Sequence, residues 1–168
     1  MWRLALAVSL LAVVLPAASI ATRAPAGALS IEGGKGIVVV RGNGGLLGRL
    51  SRGAVDLVDL TPADQWKPTL NGVARNRRTY LKGTNISFRI LGGDYRISVR
   101  GEGISISARG TGTATLLGIP GLTGDTGIYA ADLNADCQGS PEQCEPLPTT
   151  TTRVAFGLPD GTSTASTK

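Results

Sequence analysis

Runs of alternating apolar and polar residues, cut at short intervals by paired glycines, constrain this chain more than any other feature. Leu91-Gly92-Gly93-Asp94 lies between Ile86-Ser87-Phe88-Arg89-Ile90 and Tyr95-Arg96-Ile97-Ser98-Val99, both of period two. Period two is the repeat of a half-buried strand, and Gly-Gly supplies the positive φ that a tight hairpin needs. With Gly92 and Gly93 as the turn, Ile90 is expected opposite Tyr95, Phe88 opposite Ile97 and Ile86 opposite Val99. The polar face then sets Arg89 opposite Arg96. Arg-Gly-x-Gly recurs between further alternating runs, at Arg41-Gly42-Asn43-Gly44, Arg100-Gly101-Glu102-Gly103 and Arg109-Gly110-Thr111-Gly112. Read as four-residue loops, the second sets Val99 against Ile104 and the third sets Ile106 against Thr115 and Ile104 against Leu117. Residues 85–117 are therefore expected to form a four-stranded meander, and residues 37–60 a three-stranded one with its second turn at Ser51-Arg52-Gly53.

Two sheets with one apolar face each must pack together or close on themselves. The expected fold is all-β, an antiparallel β-sandwich or small barrel built from two β-meanders. The 24 glycines among 168 residues suit such a chain, at about twice ordinary usage. Further strands are expected at 127–131 and 151–156, with a long irregular connection over 61–78 that carries Trp66 and Asn71-Gly72. No segment has helical periodicity beyond a turn. Each Arg-Gly-x-Gly falls at an expected strand end, so it reads as turn chemistry and not as an RNA-binding RGG segment. No GxGxxG or P-loop pattern is present, and no specific nucleic-acid motif.

The N-terminus, Met1-Trp2-Arg3 followed by an apolar run from Leu4 to Leu15, Pro16 and small residues, has the layout of a secretory signal peptide. Cleavage is expected after Ala21, with Ala26 and Ala28 as later alternatives. The domain plan is a signal peptide over 1–21, a single β domain over 29–157 and a disordered Ser/Thr-rich tail over 158–168. The apolar run is too short to span a bilayer, so no stable membrane span is expected after cleavage. Export places Cys137 and Cys144 in an oxidising compartment, and a disulfide across the intervening loop is expected. Closing so short a loop stabilises by about 2 kcal/mol at most on the chain-entropy account.

The absence of histidine removes imidazole-based triads, dyads and the usual hydrolytic zinc sites. Asp132-Leu133-Asn134-Ala135-Asp136 has the alternate-oxygen spacing of a calcium loop, but Cys137 and Gln143 stand where an EF-hand wants Gly and Glu. Asp132, Asn134 and Asp136 are the candidate metal residues, with calcium the one cofactor considered. Carboxylate pairs for acid/base chemistry are Asp56 with Asp59 and Glu102 with Asp64. Residues 35–110 carry 13 Lys/Arg against 5 Asp/Glu, whereas 111–168 carry 2 against 6. The candidate anion-binding ribbon in the basic part is Arg89, Arg96 and Arg100, with Asp94 expected opposite Arg109 as a local counter-charge.

Through residues 36–60 and 82–117, with Asp59-Leu60-Thr61-Pro62 and Gly92-Gly93-Asp94-Tyr95-Arg96-Ile97, the chain resembles a class of small exported β-rich proteins common in actinobacteria. The resemblance implies export and an all-β fold and supplies no catalytic residues. The expected function is a secreted or envelope-associated, non-catalytic β module, its partner an anionic envelope polymer or another surface protein. The alternatives are a small secreted carboxylate-dependent enzyme and an inhibitor-like domain that binds protein.

Overall fold

The computed structural model describes residues 26–75, 78–121 and 124–157, so the leader expected over 1–21 and the tail expected over 158–168 lie outside the described residues. The strands are β1 (Gly27–Asp59), β2 (Thr69–Leu70), β3 (Val73–Ala74), β4 (Arg78–Ile90), β5 (Asp94–Gly118), β6 (Ile128–Ala130), β7 (Glu145–Pro146) and β8 (Thr152–Phe156). One 3-10 turn, Pro141–Gln143, is the only helical element among the described residues. Every ladder is antiparallel. The all-β class is as the alternation requires, and the strands expected near 127–131 and 151–156 are present as β6 and β8. The connection over 61–78 is less irregular than expected, because Asn71-Gly72 joins β2 and β3 in a small hairpin.

The route of the chain is not a pair of meanders. β1 runs 33 residues and β5 25 without reversing, so no turn occurs at 41–44, 51–53, 100–103 or 109–112. Ile37 faces both Arg100 and Leu117, and Val40 faces both Ile97 and Ala114. A straight β5 cannot lie on both sides of residues 36–43, so the two long strands bend and pass each other twice. Two strips result. The first places β8, 111–118, 36–43, 94–101, 53–59 and 78–83 side by side; the second places β2, 86–90, 46–50, 104–110, 27–31 and β6. Strands that switch strips at bends are the corner device of orthogonal sheet packing. Among the described residues no ladder joins β8 to 78–83, and all eight strands belong to one antiparallel sheet bent into the two strips.

The bends fall where two backbones touch. Gly53 and Gly101 face each other with φ of +150° and +149°. A Cβ on Gly53 would lie 2.0 Å from the Arg100 carbonyl oxygen, and one on Gly101 would lie 2.1 Å from the Arg52 carbonyl oxygen. Gly44 and Gly110 make the same reciprocal contact with the carbonyls of Arg109 and Asn43, at 2.3 and 2.1 Å. Glycine at positive φ serves a hairpin or a corner equally well, and only the distant partner strand distinguishes them. The Arg-Gly-x-Gly segments are corners for that reason.

Gly92-Gly93 likewise carries the chain from one strip to the other and does not close a hairpin. Ile90, Phe88 and Ile86 face Leu46, Gly48 and Leu50, while Tyr95 faces Gly42 and Asp59. The expected inward faces largely persist, because they follow from parity alone. Ile86, Phe88, Ile90, Ile97, Val99, Ile104, Ile106 and Ala108 all join one buried core. Thr115 and Leu117 do not. With no loop at 109–112, the count from Ala108 continues in twos and brings Ala114 and Leu116 inward. Glycines also make room for rings: Phe88 lies across Gly48, and the row Tyr95–Gly42–Gly112–Phe156 sets two aromatics over two glycines. A Cβ on Gly48 would come within 2.2 Å of the Phe88 ring, and one on Gly112 within 2.8 Å of the Phe156 ring.

Cys137 and Cys144 lie at disulfide distance with Cα atoms 5.8 Å apart. The Cys137 N–H donates to Ser30 Oγ at 2.8 Å, and the Ala28 N–H donates to the Asp132 carbonyl at 2.7 Å. The clipped loop is thereby seated on the start of β1.

Gly101→Ala is expected to destabilise the fold by about 3 kcal/mol or more, because both the φ and the carbonyl contact resist a side chain. Gly83→Ala, where a Cβ meets nothing within 4 Å, should change stability by less than about 1 kcal/mol. Urea unfolding of the two variants checks this, and equal losses would contradict the corner reading.

Candidate anion-binding face

Alternation that sends Val38, Val40, Val55, Leu57, Ile97 and Val99 into the core sends their neighbours outward on the first strip. The ladder arranges these neighbours in cross-strand rows. Val58, Arg96, Arg41 and Thr113 form one; Tyr80, Asp56, Ser98, Val39, Thr115 and Arg153 form the next; Lys82, Ala54, Arg100, Ile37 and Leu117 form a third. Arg41 and Arg96 stand directly opposite each other, a like-charge pairing that costs about 0.2–1 kcal/mol unless something neutralises it. Among the described residues, Arg41, Arg96 and Arg100 have no ion-pair partner.

The direct Arg–Arg pairing is a sequence expectation realised with a different partner. Arg89 does not face Arg96; it lies on the second strip between Leu47 and Thr69. Arg96 and Arg100 share a face with Arg41, and Arg89 is not part of it. Arg41 opens the first Arg-Gly-x-Gly, but a Gly92-Gly93 hairpin register places Arg89, not Arg41, opposite Arg96. Asp94 is not opposite Arg109 either. Its Oδ1 accepts from Asn43 Nδ2 at 3.0 Å, while Arg109 Nη1 donates to the Leu133 carbonyl at 3.3 Å.

One carboxylate sits within the three rows. Asp56 accepts from Arg78 Nε at 3.0 Å and Nη2 at 2.8 Å. The Arg78 hydrogen bond holds the Asp56 carboxyl below its ordinary value of 3.8, against the opposite pull of burial, and the charges of Arg78 and Arg96 add to the lowering. Asp56 thus offsets part of the Arg96 charge, while Arg41 has no ion-pair partner among the described residues.

A shallow hollow opens at each end of the strip. One, of about 330 Å³, is lined by Lys35, Arg52, Arg100 and Glu102 with Ile119. Glu102 faces both Lys35 and Arg52 in the ladder; its Oε1 accepts from Arg52 Nε at 2.8 Å and from Nη2, and its Oε2 lies 3.9 Å from Lys35 Nζ. The Arg52 hydrogen bond, then the charges of Arg52 and Lys35, lower the Glu102 pKa. The other hollow, of about 400 Å³, is lined by Arg41, Asn43, Asp94, Thr111 and Leu60.

The candidate carboxylate pairs do not converge. Asp56 points outward, whereas Asp59 is buried beside Tyr95; Asp59 Oδ2 and the Tyr95 hydroxyl have no partner among the described residues. Burial raises the Tyr95 pKa. Asp64 accepts from Thr61 Oγ1 and the Trp66 N–H next to Gly93, at the end of the strip opposite Glu102. In the calcium-like segment, Asp132 Oδ1 accepts from the Asn134 N–H at 2.7 Å and Asp136 Oδ1 from the Gly139 N–H at 3.0 Å. The first is an Asx turn and the second reaches three residues on; among the described residues no three His, Cys, Asp or Glu side chains gather. Trp66 covers the Gly92 turn, where a Cβ would lie 3.1 Å from its ring. Asn85, in an Asn-x-Ser sequence, is exposed within β4 at φ +51°.

Fold and site define an all-β antiparallel protein with corner-turning strands, a clipped loop and a cationic sheet face. No family model, curated protein or solved structure matches the chain.

A carboxyl held below its ordinary value stabilises the fold above that value, and this is lost as pH falls through the lowered folded value. Asp56→Asn is therefore expected to reduce stability at pH 7, with the gap closing below pH 3.8. Thermal melts of both proteins from pH 7 to pH 2 check this, and a pH-independent gap would exclude the Arg78 pair as its source.

Proposed function

We propose that this protein is a secreted or envelope-associated, non-catalytic β module that binds an anionic polymer or surface through the outward face of its first strip. The observation that carries the reading is the direct opposition of Arg41 and Arg96, with Arg100, Lys82 and Arg153 in the adjoining rows and Asp56 as the one acid among them. Cations set against each other on exposed strands are relieved when a polyanion lies across them, and the counterions it releases add to the binding. The scattered carboxylates favour this over an acid/base enzyme. The apolar leader and the cysteine pair agree with export.

Reversing Arg41 and Arg96 to Glu should abolish most retention by fractionated cell envelope and lower the slope of log affinity against log salt by about two. Arg89→Glu, on the other strip, should leave retention within about twofold. Equal sensitivity of the two proteins, or retention that ignores both changes, would sink the proposal.

The start of β1 bears on processing. Gly27 pairs with Gly110, and Ala28 is buried with its N–H bonded. Removal of the leader after Ala21 or Ala26 keeps this end of the ladder, whereas a cut after Ala28 strips it. N-terminal sequencing of exported material is expected to read Thr22 first, and a start at Leu29 would contradict it.

A further inference from the structure

Three bends meet at one end of the cationic face, and a cation precedes the glycine of each: Lys35-Gly36, Arg52-Gly53 and Arg100-Gly101. Because Gly53 and Gly101 let the two backbones touch, Arg52 and Arg100 are brought to one crossing, and the adjacent ladder adds Lys35. The hollow of about 330 Å³ between them contains three cations and one carboxylate. Glu102 does not neutralise the group. Both of its Arg52 contacts use Oε1, Lys35 Nζ is 3.9 Å from Oε2, and Arg100 has no carboxylate partner among the described residues. Glu102 thus acts as an orienting group that holds Arg52 and draws Lys35 inward, while donors remain free on separate stretches of strand.

Donors arriving from several directions suit an acceptor whose oxygens also diverge. A carboxylate presents two oxygens in one plane, whereas a phosphate group presents its oxygens tetrahedrally and takes guanidinium and ammonium together. Resting on the proposed polyanion reading, we infer that this corner is the subsite for a phosphate group of the polymer, with Lys35, Arg52 and Arg100 as its contacts and Glu102 as a positioning residue. The ligand class is therefore a phosphate-bearing polymer and not a polyuronate or polyglutamate.

The test uses the oxidised full-length mature protein, with inorganic phosphate and acetate as small probes and a soluble glycerol-phosphate polymer and phosphatidylglycerol vesicles as large ones. Calorimetric titration is expected to show phosphate binding at least about tenfold tighter than acetate. Lys35→Ala should weaken phosphate binding by about fivefold or more, and Glu102→Gln should change it in a direction opposite to that produced by Arg100→Ala. A melt of each variant confirms that it is folded, with Lys35→Gln and Arg100→Gln in place of the alanine variants where those are not. Equal binding of phosphate and acetate, or indifference to Lys35, would overturn the corner site. If polymer binding still depends on Arg41 and Arg96 in that event, the face reading survives alone. Phosphate binding that needs Lys35, with polymer retention indifferent to Arg41 and Arg96, would keep the corner and overturn the face. Binding to vesicles but not to the soluble polymer would assign the phosphate to a lipid headgroup and overturn the polymer assignment.

Discussion

The structure depends on backbone meeting backbone at the glycine corners. At Gly53 with Gly101, and at Gly44 with Gly110, carbonyl oxygens occupy the space in which a side chain would begin. These contacts let one continuous strand belong to both strips of the sheet. Hydrogen bonding then continues through the bend, and no loop is needed to carry the chain between layers. The aromatic rings follow from the same economy of side chains: Phe88, Tyr95 and Phe156 extend over Gly48, Gly42 and Gly112 and fill what the glycines leave open.

Much of the core was legible in the sequence, because which face a residue takes depends only on counting in twos. Ile86, Phe88 and Ile90 point inward whether their neighbour is the 95–99 segment, as the Gly-Gly hairpin suggests, or the 46–50 segment that in fact lies beside them. Partnership is another matter. Glycine at positive φ reports that the backbone does something unusual, but not whether it reverses or turns a corner. That choice is made by residues far away in the chain, such as Gly110 for Gly44 and Gly101 for Gly53. The site shows the same split: of the ribbon Arg89, Arg96 and Arg100, counting in twos places Arg96 and Arg100 on one outward face, but Arg89 lies on the other strip, and the direct neighbour Arg41 comes from over fifty residues earlier.

The fold also turns an uneven charge distribution along the chain into one between surfaces. The acid-rich C-terminal part supplies Asp132 and Asp136 to the loop that sits on the start of β1, where Cys137 bonds Ser30 and Leu133 receives Arg109. That loop covers part of the second strip. β8, which adds another cation in Arg153, flanks the first strip. Acidic residues of the C-terminal part thus lie beside the second strip, while Arg41, Arg96 and Arg100 stand on the first with Asp56 as the one carboxylate in their rows.

The crossings carry a kinetic consequence. Gly27 waits for Gly110, and Asp59 for Tyr95, before β1 has its neighbours on this side. Such pairing closes long loops before any contact rewards them, which slows folding relative to a meander of adjacent hairpins. Until β5 has emerged, residues 27–45 of β1 have both edges open, and β4 covers only one edge of 46–58. The architecture therefore delays commitment to the folded state until most of the chain has been made, a property that keeps a polypeptide threadable and, for the same interval, exposes it to edge-to-edge association.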